Sequence, residues 1–311
     1  MPELRVRVPA TSANLGPGFD SLGIALSLYN DFFVSLTDET LVVDSEPGTE
    51  GPENLFLQSY RRGMAELRVP VQPIRVRFAS GVPMARGLGS SSTCIVGGLL
   101  AASAAAAGAL DAPARGGGAL PSALSRSRIL DIAAEIEGHP DNVAPAVLGG
   151  FAVAVTEGGR VVAIRASIDE ELRFHAMVPP FPLETAKARA ALPASVTHKD
   201  AAFNAGRAAL VAAAFLSRDY GALGVACCDR LHEPYRAPLI PGFAEVAEAA
   251  RAQGALAVFL SGAGPTVMAL CRAEDGGFPA RMQATLAARV GGAWGLLSLR
   301  ANDSGATVDR A

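Results

Sequence analysis

The sequence predicts an α+β protein of two domains, and three observations carry that expectation. Strand-like alternation and helix-like apolar faces both occur and are interleaved along the chain. A strand–loop–helix pattern over 74–110 and a strand–turn–strand pattern over 256–270 fall in different halves. The chain has 311 residues, 50% of them hydrophobic and 18% charged, enough for an extensive core in two moderate domains or one large one.

The elements follow in order. Leu4, Val6 and Val8 alternate with Glu3, Arg5 and Arg7. That predicts a first strand over 4–8 and interrupts the apolar run a signal peptide needs. Strand alternation returns over 74–78. The apolar run over 94–110 is mostly Ala, Gly and Ser, short of the ~20 strongly apolar residues of a membrane span, and is read as a buried helix. DAPARGGGALP (111–121) is expected to be a surface loop. Ile129, Ile132, Ala133 and Ile136 share one helical face, which predicts a helix from near Ser127 that stops at Gly138 and Pro140. Strands over 151–155 and 161–164, helices over 201–217 and 243–253, and strands over 256–260 and 266–270 around the turn 261–265 complete the reading. The domain boundary is expected at 155–165, dividing the chain into residues 1–160 and 161–311.

The net charge of −3 and the lack of a basic stripe argue against a nucleic-acid partner, and nothing predicts a membrane partner. The four cysteines form no CxxC pair and no zinc spacing, and Cys227 and Cys228 are neighbours, poorly placed for a disulfide. Reduced thiols and a cytoplasmic location are the expectation.

The loop RGLGSSST (86–93) is the most suggestive chemical feature. It has no lysine, so it is not a Walker loop, and Ser92 stands where a dinucleotide fingerprint needs its third glycine. Gly87 and Gly89 still let backbone N–H groups approach a ligand. Ser90, Ser91 and Ser92 offer hydroxyls at the positive end of the next helix, where an anion or a magnesium shell can be completed. A plain N-cap turn is the competing reading.

Three further stretches supply context: PATSANLGPGFDSLGIAL (9–26), EGHPDNVAPAVLGG (137–150) and LSGAGPTVMAL (260–270). With PMARGLGSSS (83–92), in this order, the chain resembles the GHMP small-molecule kinase superfamily, and within it the homoserine kinases most closely. The resemblance implies an N-terminal domain like the second domain of ribosomal protein S5, with a left-handed βαβ crossover. It implies a ferredoxin-like C-terminal domain, with the active site between the two. It further implies ATP and Mg²⁺, with L-homoserine as acceptor, giving O-phospho-L-homoserine and ADP on the way to threonine. Members of the superfamily often form homodimers. A kinase for another small alcohol, such as mevalonate, and a catalytically silent sensor are the alternatives.

Carried onto this chain, the resemblance assigns nucleotide contacts to Pro83, Met84, Ala85, Arg86, Gly87, Leu88, Gly89, Ser90, Ser91 and Ser92, with Asn54 near the adenine. It places Asn14, Asp20, His139 and Asn142 at the substrate, though the local sequence by itself favours an Asx-type turn around Gly16, Pro17 and Gly18 for Asn14 and Asp20. Asp20 suits a substrate ammonium. Glu137 is expected to hold magnesium with Ser91, since a carboxylate at a helix carboxyl end is costly without a cation; Glu135 is the fallback. Asp131 and Glu135 are read as a solvated face. Thr185 and Arg189 lie one helical turn apart and can face one ligand; with Arg236, two guanidinium forks match an α-carboxylate, against the plainer reading of surface ion pairs. His232 and Glu233 are read as structural support. Related kinases place an aspartate base where this chain has Asn142, so catalysis is expected to rest on positioning by Asn142, Ser91 and Glu137. Gly262, Ala263 and Gly264 are expected to pack on the phosphate loop. Cys94, His175, His198 and Trp294 are assigned to packing or surface.

Overall fold

A computed structural model describes residues 3–44, 49, 51–110, 122–290 and 293–311; the expected loop 111–121 lies outside them. Its elements run β1 (Leu4–Ala13), β2 (Leu22–Leu36), β3 (Leu41–Val43), α1 (Leu55–Glu66), β4 (Ile74–Ser80), α2 (Ser90–Ala106), α3 (Arg126–Glu137), α4 (Pro140–Leu148), β5 (Phe151–Glu157) and β6 (Arg160–Ala166). Then follow β7 (Leu172–Val178), α5 (Thr185–Ala190), α6 (His198–Ser217), α7 (Leu223–Ala226), α8 (Glu233–Arg236), α9 (Phe243–Ala252), β8 (Ala257–Leu260), β9 (Val267–Arg272), α10 (Phe278–Arg289), β10 (Gly295–Leu299) and β11 (Thr307–Arg310).

The first sheet has the order β11-β1-β2-β4-β3, with β5 on β2 and β6 on β5. Its one parallel pair, β3 with β4, is joined through α1, because parallel neighbours need a crossover. Leu4, Val6 and Val8 point into a core shared with Phe56, Ile95, Leu99 and Ile132 from the helices. β2 escapes a period-two reading because both of its faces are covered at the start: Leu22, Gly23, Ile24, Ala25 and Leu26 are all buried. The helix α3 is capped by Ser125, whose hydroxyl accepts the Arg128 amide at 3.2 Å, so it starts at Arg126, one residue before the expected Ser127. Gly138 ends it in the left-handed region, as expected, but Pro140 opens α4 rather than a loop, the position where proline is best tolerated.

The second sheet, β10-β7-β9-β8, is antiparallel throughout. Alternate residues serve two cores. Phe174, Ala176, Phe259, Met268 and Leu270 face α6, α7 and the first domain. Val258, Leu260, Val267 and Ala269 face α9 and α10. The first of these cores also takes Leu15, Leu22, Leu88 and Phe151 from the first domain, and Phe151 stacks on Phe215 of α6 at 4.6 Å. The sheet around β1 draws residues from both sides of position 160: β6 pairs with β5 as far as Ala166, and β11 pairs with β1.

Candidate active site

A cavity of about 650 Å³ opens between the two domains. It is lined by Asn14, Asp20, Asn54, Met84, Ala85, Arg86, Gly87, Gly89, Ser90, Ser91, Glu137, His139, Asn142, Thr185, Arg189 and Arg236 together. Three expected loop residues do not line it. Leu88 is turned into the interdomain core, the buried Ser92 gives its hydroxyl to Glu137, and Pro83 stands outside the wall.

The glycine–serine loop 86–93 is set by protein contacts as much as by openness to a ligand. Gly89 caps α2 at φ 72°, and a Cβ there would lie 2.0 Å from Thr11 Oγ1. Gly87, at φ 73°, would meet the Ser261 carbonyl at 2.3 Å. Ser261 Oγ donates to the Gly87 carbonyl at 2.6 Å, so the turn 261–264 does pack on this loop. Arg86 spends its guanidinium on the carbonyls of Met84, Pro179 and Pro180, which ties the loop to the second domain. Ser90 and Ser91 remain at the mouth of α2 with the helix's first amides.

Helices α2 and α3 meet at Glu137. Its carboxylate accepts Ser91 Oγ at 2.8 Å and Ser92 Oγ at 3.1 Å, and it has no basic ion-pair partner among the described residues. Burial raises its pKa, against the pull of the serine hydroxyls and of His139. A divalent cation suits this donor set: a crowded carboxylate at a helix carboxyl end beside a serine hydroxyl. Glu135 points outward to Arg62 at 3.1 Å. Asp131 is not solvated as expected; it accepts the Val161 amide at 2.8 Å and so fastens α3 to β6.

At the other end Arg189 holds Asp20 through both guanidinium nitrogens, at 3.0 and 2.9 Å, bridging α5 to the loop after β1. Arg236 is only 2% exposed. It donates to the Gly262 carbonyl at 3.2 Å, the Ala188 carbonyl at 3.4 Å and His232 Nδ1 at 3.3 Å, and it reaches no carboxylate among the described residues. Burial lowers its pKa and neighbouring Arg189 adds to the effect. A buried guanidinium without a counter-anion is costly unless a ligand supplies one. His232 accepts from Arg236, so its Nε2–H donates to the Gly16 carbonyl at 2.7 Å; burial depresses its pKa and keeps it neutral. Asp229 accepts the amides of Leu231, His232 and Glu233, anchoring the start of α8.

Asn14 Oδ1 accepts the Asp20 amide, six residues on, at 2.9 Å, a wider closure than an Asx turn, and its Nδ2 donates to the Gly262 carbonyl at 2.9 Å while the residue lines the cavity. Asn54 is occupied as the N-cap of α1, accepting the amides of Phe56 and Leu57 and donating to the Thr49 carbonyl at 2.7 Å. Asp141 is 2% exposed and bonded to His139 Nδ1 at 2.5 Å. Burial works against charge on His139, yet the hydrogen bond and charge of Asp141 outweigh it and raise the pKa. Asp20, His139 and Asp141 form one tight cluster beside Asn142, whose Oδ1 accepts the Thr11 hydroxyl at 2.7 Å.

Some lining residues carried no signal in the sequence. Asn30 sits inside β2, donates to Thr93 Oγ1 at 2.8 Å and accepts the Val82 amide at 2.9 Å. Phe78, Ser80, Val82 and Cys94 line the cavity as well, so Cys94, expected in packing, also faces it. His175 is buried against Ser298 and Phe278, with burial pushing its pKa down to about 4.

Known proteins place this arrangement. Residues 54–150 match the GHMP kinases N terminal domain and residues 211–285 the GHMP kinases C terminal domain. A homoserine kinase of Clostridium beijerinckii is 40% identical over 307 residues, 98% of each chain. One of Clostridium botulinum is 39% identical over 284 residues, 91% of each. The crystal structure of a homoserine kinase from Cytophaga hutchinsonii superposes with a TM-score of 0.83 at 26% identity, covering 99% of this chain and 97% of that one. With both domains matched, and identity near 40% along almost the whole length, the chain belongs to the GHMP kinases and, among them, to the homoserine kinase family.

Proposed function

We propose that the chain transfers the γ-phosphoryl group of ATP to the side-chain hydroxyl of L-homoserine, giving O-phospho-L-homoserine and ADP on the way to threonine. One observation carries the choice of acceptor. The cavity that holds the glycine–serine loop also holds a buried Arg236 that reaches no carboxylate among the described residues, beside the Asp20–Arg189 pair. Such an end suits a small zwitterion: its carboxylate answers Arg236 and Arg189, its ammonium Asp20. Mevalonate has the carboxylate but no ammonium, and would use only the arginine half of this end.

The loop amides and the α2 N-terminus receive the phosphates, and Ser91 with Glu137 would hold Mg²⁺. When bound, that ion supplies charge neutralisation to the transferring phosphoryl group. Asn142 lies beside the acceptor hydroxyl and cannot take its proton at a useful pKa. Asp141 is bound to His139 and Asp20 to Arg189. The hydroxyl proton therefore leaves to a phosphate oxygen or to water, and the protein's part is alignment. A cytoplasmic setting is supported by four cysteines that are all free. Among the described residues no helix is long and apolar enough to cross a membrane.

An ADP-release assay with homoserine beside mevalonate, serine and threonine decides the acceptor. Turnover with homoserine well above the other three is expected; faster turnover of mevalonate would replace the reading.

A further inference from the structure

We infer that Thr11 is a positioning residue for phosphoryl transfer, whose hydroxyl, together with the Asp141 carboxylate, determines which end of the Asn142 amide meets the acceptor. The inference rests on the reading of Asn142 as the side chain beside the acceptor hydroxyl.

Thr11 is fully buried near the end of β1, just past a shift in the β1–β2 register between Pro9 and Thr11. It touches both halves of the reaction. Its amide donates to the Leu88 carbonyl at 3.1 Å, which pins the phosphate loop to β1. Its Oγ1 occupies the space in which a Cβ on Gly89 would lie, so it sets how deeply the loop sits. The same Oγ1 donates to Asn142 Oδ1 at 2.7 Å.

That last contact has a chemical direction. A threonine hydroxyl carries one proton, and here it goes to Asn142. The amide oxygen is therefore held toward β1, and Nδ2 is turned the other way, where it lies 3.4 Å from Asp141 Oδ1. A carboxamide turned about its last torsion keeps its shape and reverses its polarity, so packing alone does not choose between the two states. A hydroxyl can also accept, so Thr11 makes the choice together with Asp141, whose carboxylate only accepts and takes Nδ2 while Oδ1 takes the Thr11 proton. With Nδ2 forward, Asn142 donates to the oxygen of the acceptor hydroxyl, and the hydroxyl proton stays free to leave. With Oδ1 forward, the amide would hold that proton and oppose the transfer. Asp141 favours the first state as well, because a carboxylate repels Oδ1 and attracts Nδ2.

The test compares Thr11→Val, which keeps the branched shape and loses the donor, with Thr11→Ser, which keeps the donor. Each is assayed for ADP release and for phosphohomoserine. Thr11→Val is expected to lower kcat roughly 10- to 100-fold while KM for ATP changes less than about 3-fold. Its ADP should exceed its phosphohomoserine, because a poorly aligned acceptor lets water compete. Thr11→Ser should return kcat to within about 3-fold of the parent, with equal ADP and product. A serine variant as slow as the valine one overturns the inference. So does a valine variant whose loss lies wholly in KM for ATP with product still matching ADP, since that is the signature of a disturbed loop. Should Thr11→Val fail to fold, Thr11→Cys, with a similar volume and a weak S–H donor, carries the same comparison. The parent chain is measured alongside: if it makes no phosphohomoserine, the homoserine reading fails, and this inference with it.

Discussion

Arg236 concentrates the residue-scale argument. It is buried and charged, and among the described residues it meets two carbonyls, a neutral imidazole and the Phe19 ring but no carboxylate. Arg236→Leu should lose roughly 2–5 kcal/mol of homoserine recognition, read in kcat/KM, and leave ATP affinity unchanged. Unaltered homoserine kinetics would show that the carboxylate binds elsewhere. Glu233, the first residue of the same helix α8 and three before Arg236, offers a prediction about pH. Burial pushes its folded pKa up to about 8, above the ordinary 4.5, while its carboxyl accepts the Leu260 amide. The stability of its neutral form is whole below the unfolded value and is lost as the pH climbs through the folded one. Between about pH 5 and pH 9 the parent's melting temperature should therefore fall further than that of Glu233→Gln, which cannot ionise. Parallel declines would clear Glu233 of the effect. The charged site residues Asp20, Arg189 and Arg236 could be picked from the sequence because each lies in or near a distinctive local stretch. Thr11 and Asn30 could not, because their partners lie 131 and 63 positions away and only the fold joins them.

At the scale of elements, the site is a meeting of helix ends. The N-terminus of α2 and the carboxyl end of α3 converge, so that Ser91, Ser92 and Glu137 touch. Ser91→Ala and Glu137→Ala should each raise the magnesium needed for half-maximal turnover by at least roughly 10-fold, with homoserine binding less affected. Glu135→Ala, which loses only a surface pair with Arg62, should behave like the parent. A magnesium titration showing the reverse order would move the ion to another carboxylate. Amphipathic and alternating elements such as α3, β4 and β5 could be read in advance because one face meets water. β2, β7 and α4 could not: β2 and β7 are covered on both faces over much of their length, and α4 carries two prolines that read as breaks.

On the scale of the whole molecule, the two domains share a core rather than merely touch. Phe215 of α6, stacked on Phe151 and edge-on to Tyr220, sits at its middle with 1% exposure. Phe215→Ala should cost roughly 3–5 kcal/mol of global stability. Denaturant unfolding should remain one transition moved to lower concentration, since neither sheet keeps a complete interior alone. Two separated transitions would show the domains to be independent. Length and composition allowed two domains without showing how they join, because a shared interior leaves no linker signature in the sequence.

β11 pairs with β1 through Leu4↔Arg310, Arg5↔Asp309, Val6↔Val308 and Arg7↔Thr307. A nascent chain leaves the ribosome from its N-terminus, so β1 must wait with that flank bare until residues 307–310 have been made. β1 is also the strand whose far end carries Thr11 and Asn14. Assembly of the catalytic cleft thus waits on residues 307–310, and the interval before they emerge is when an open strand edge is most exposed to other chains.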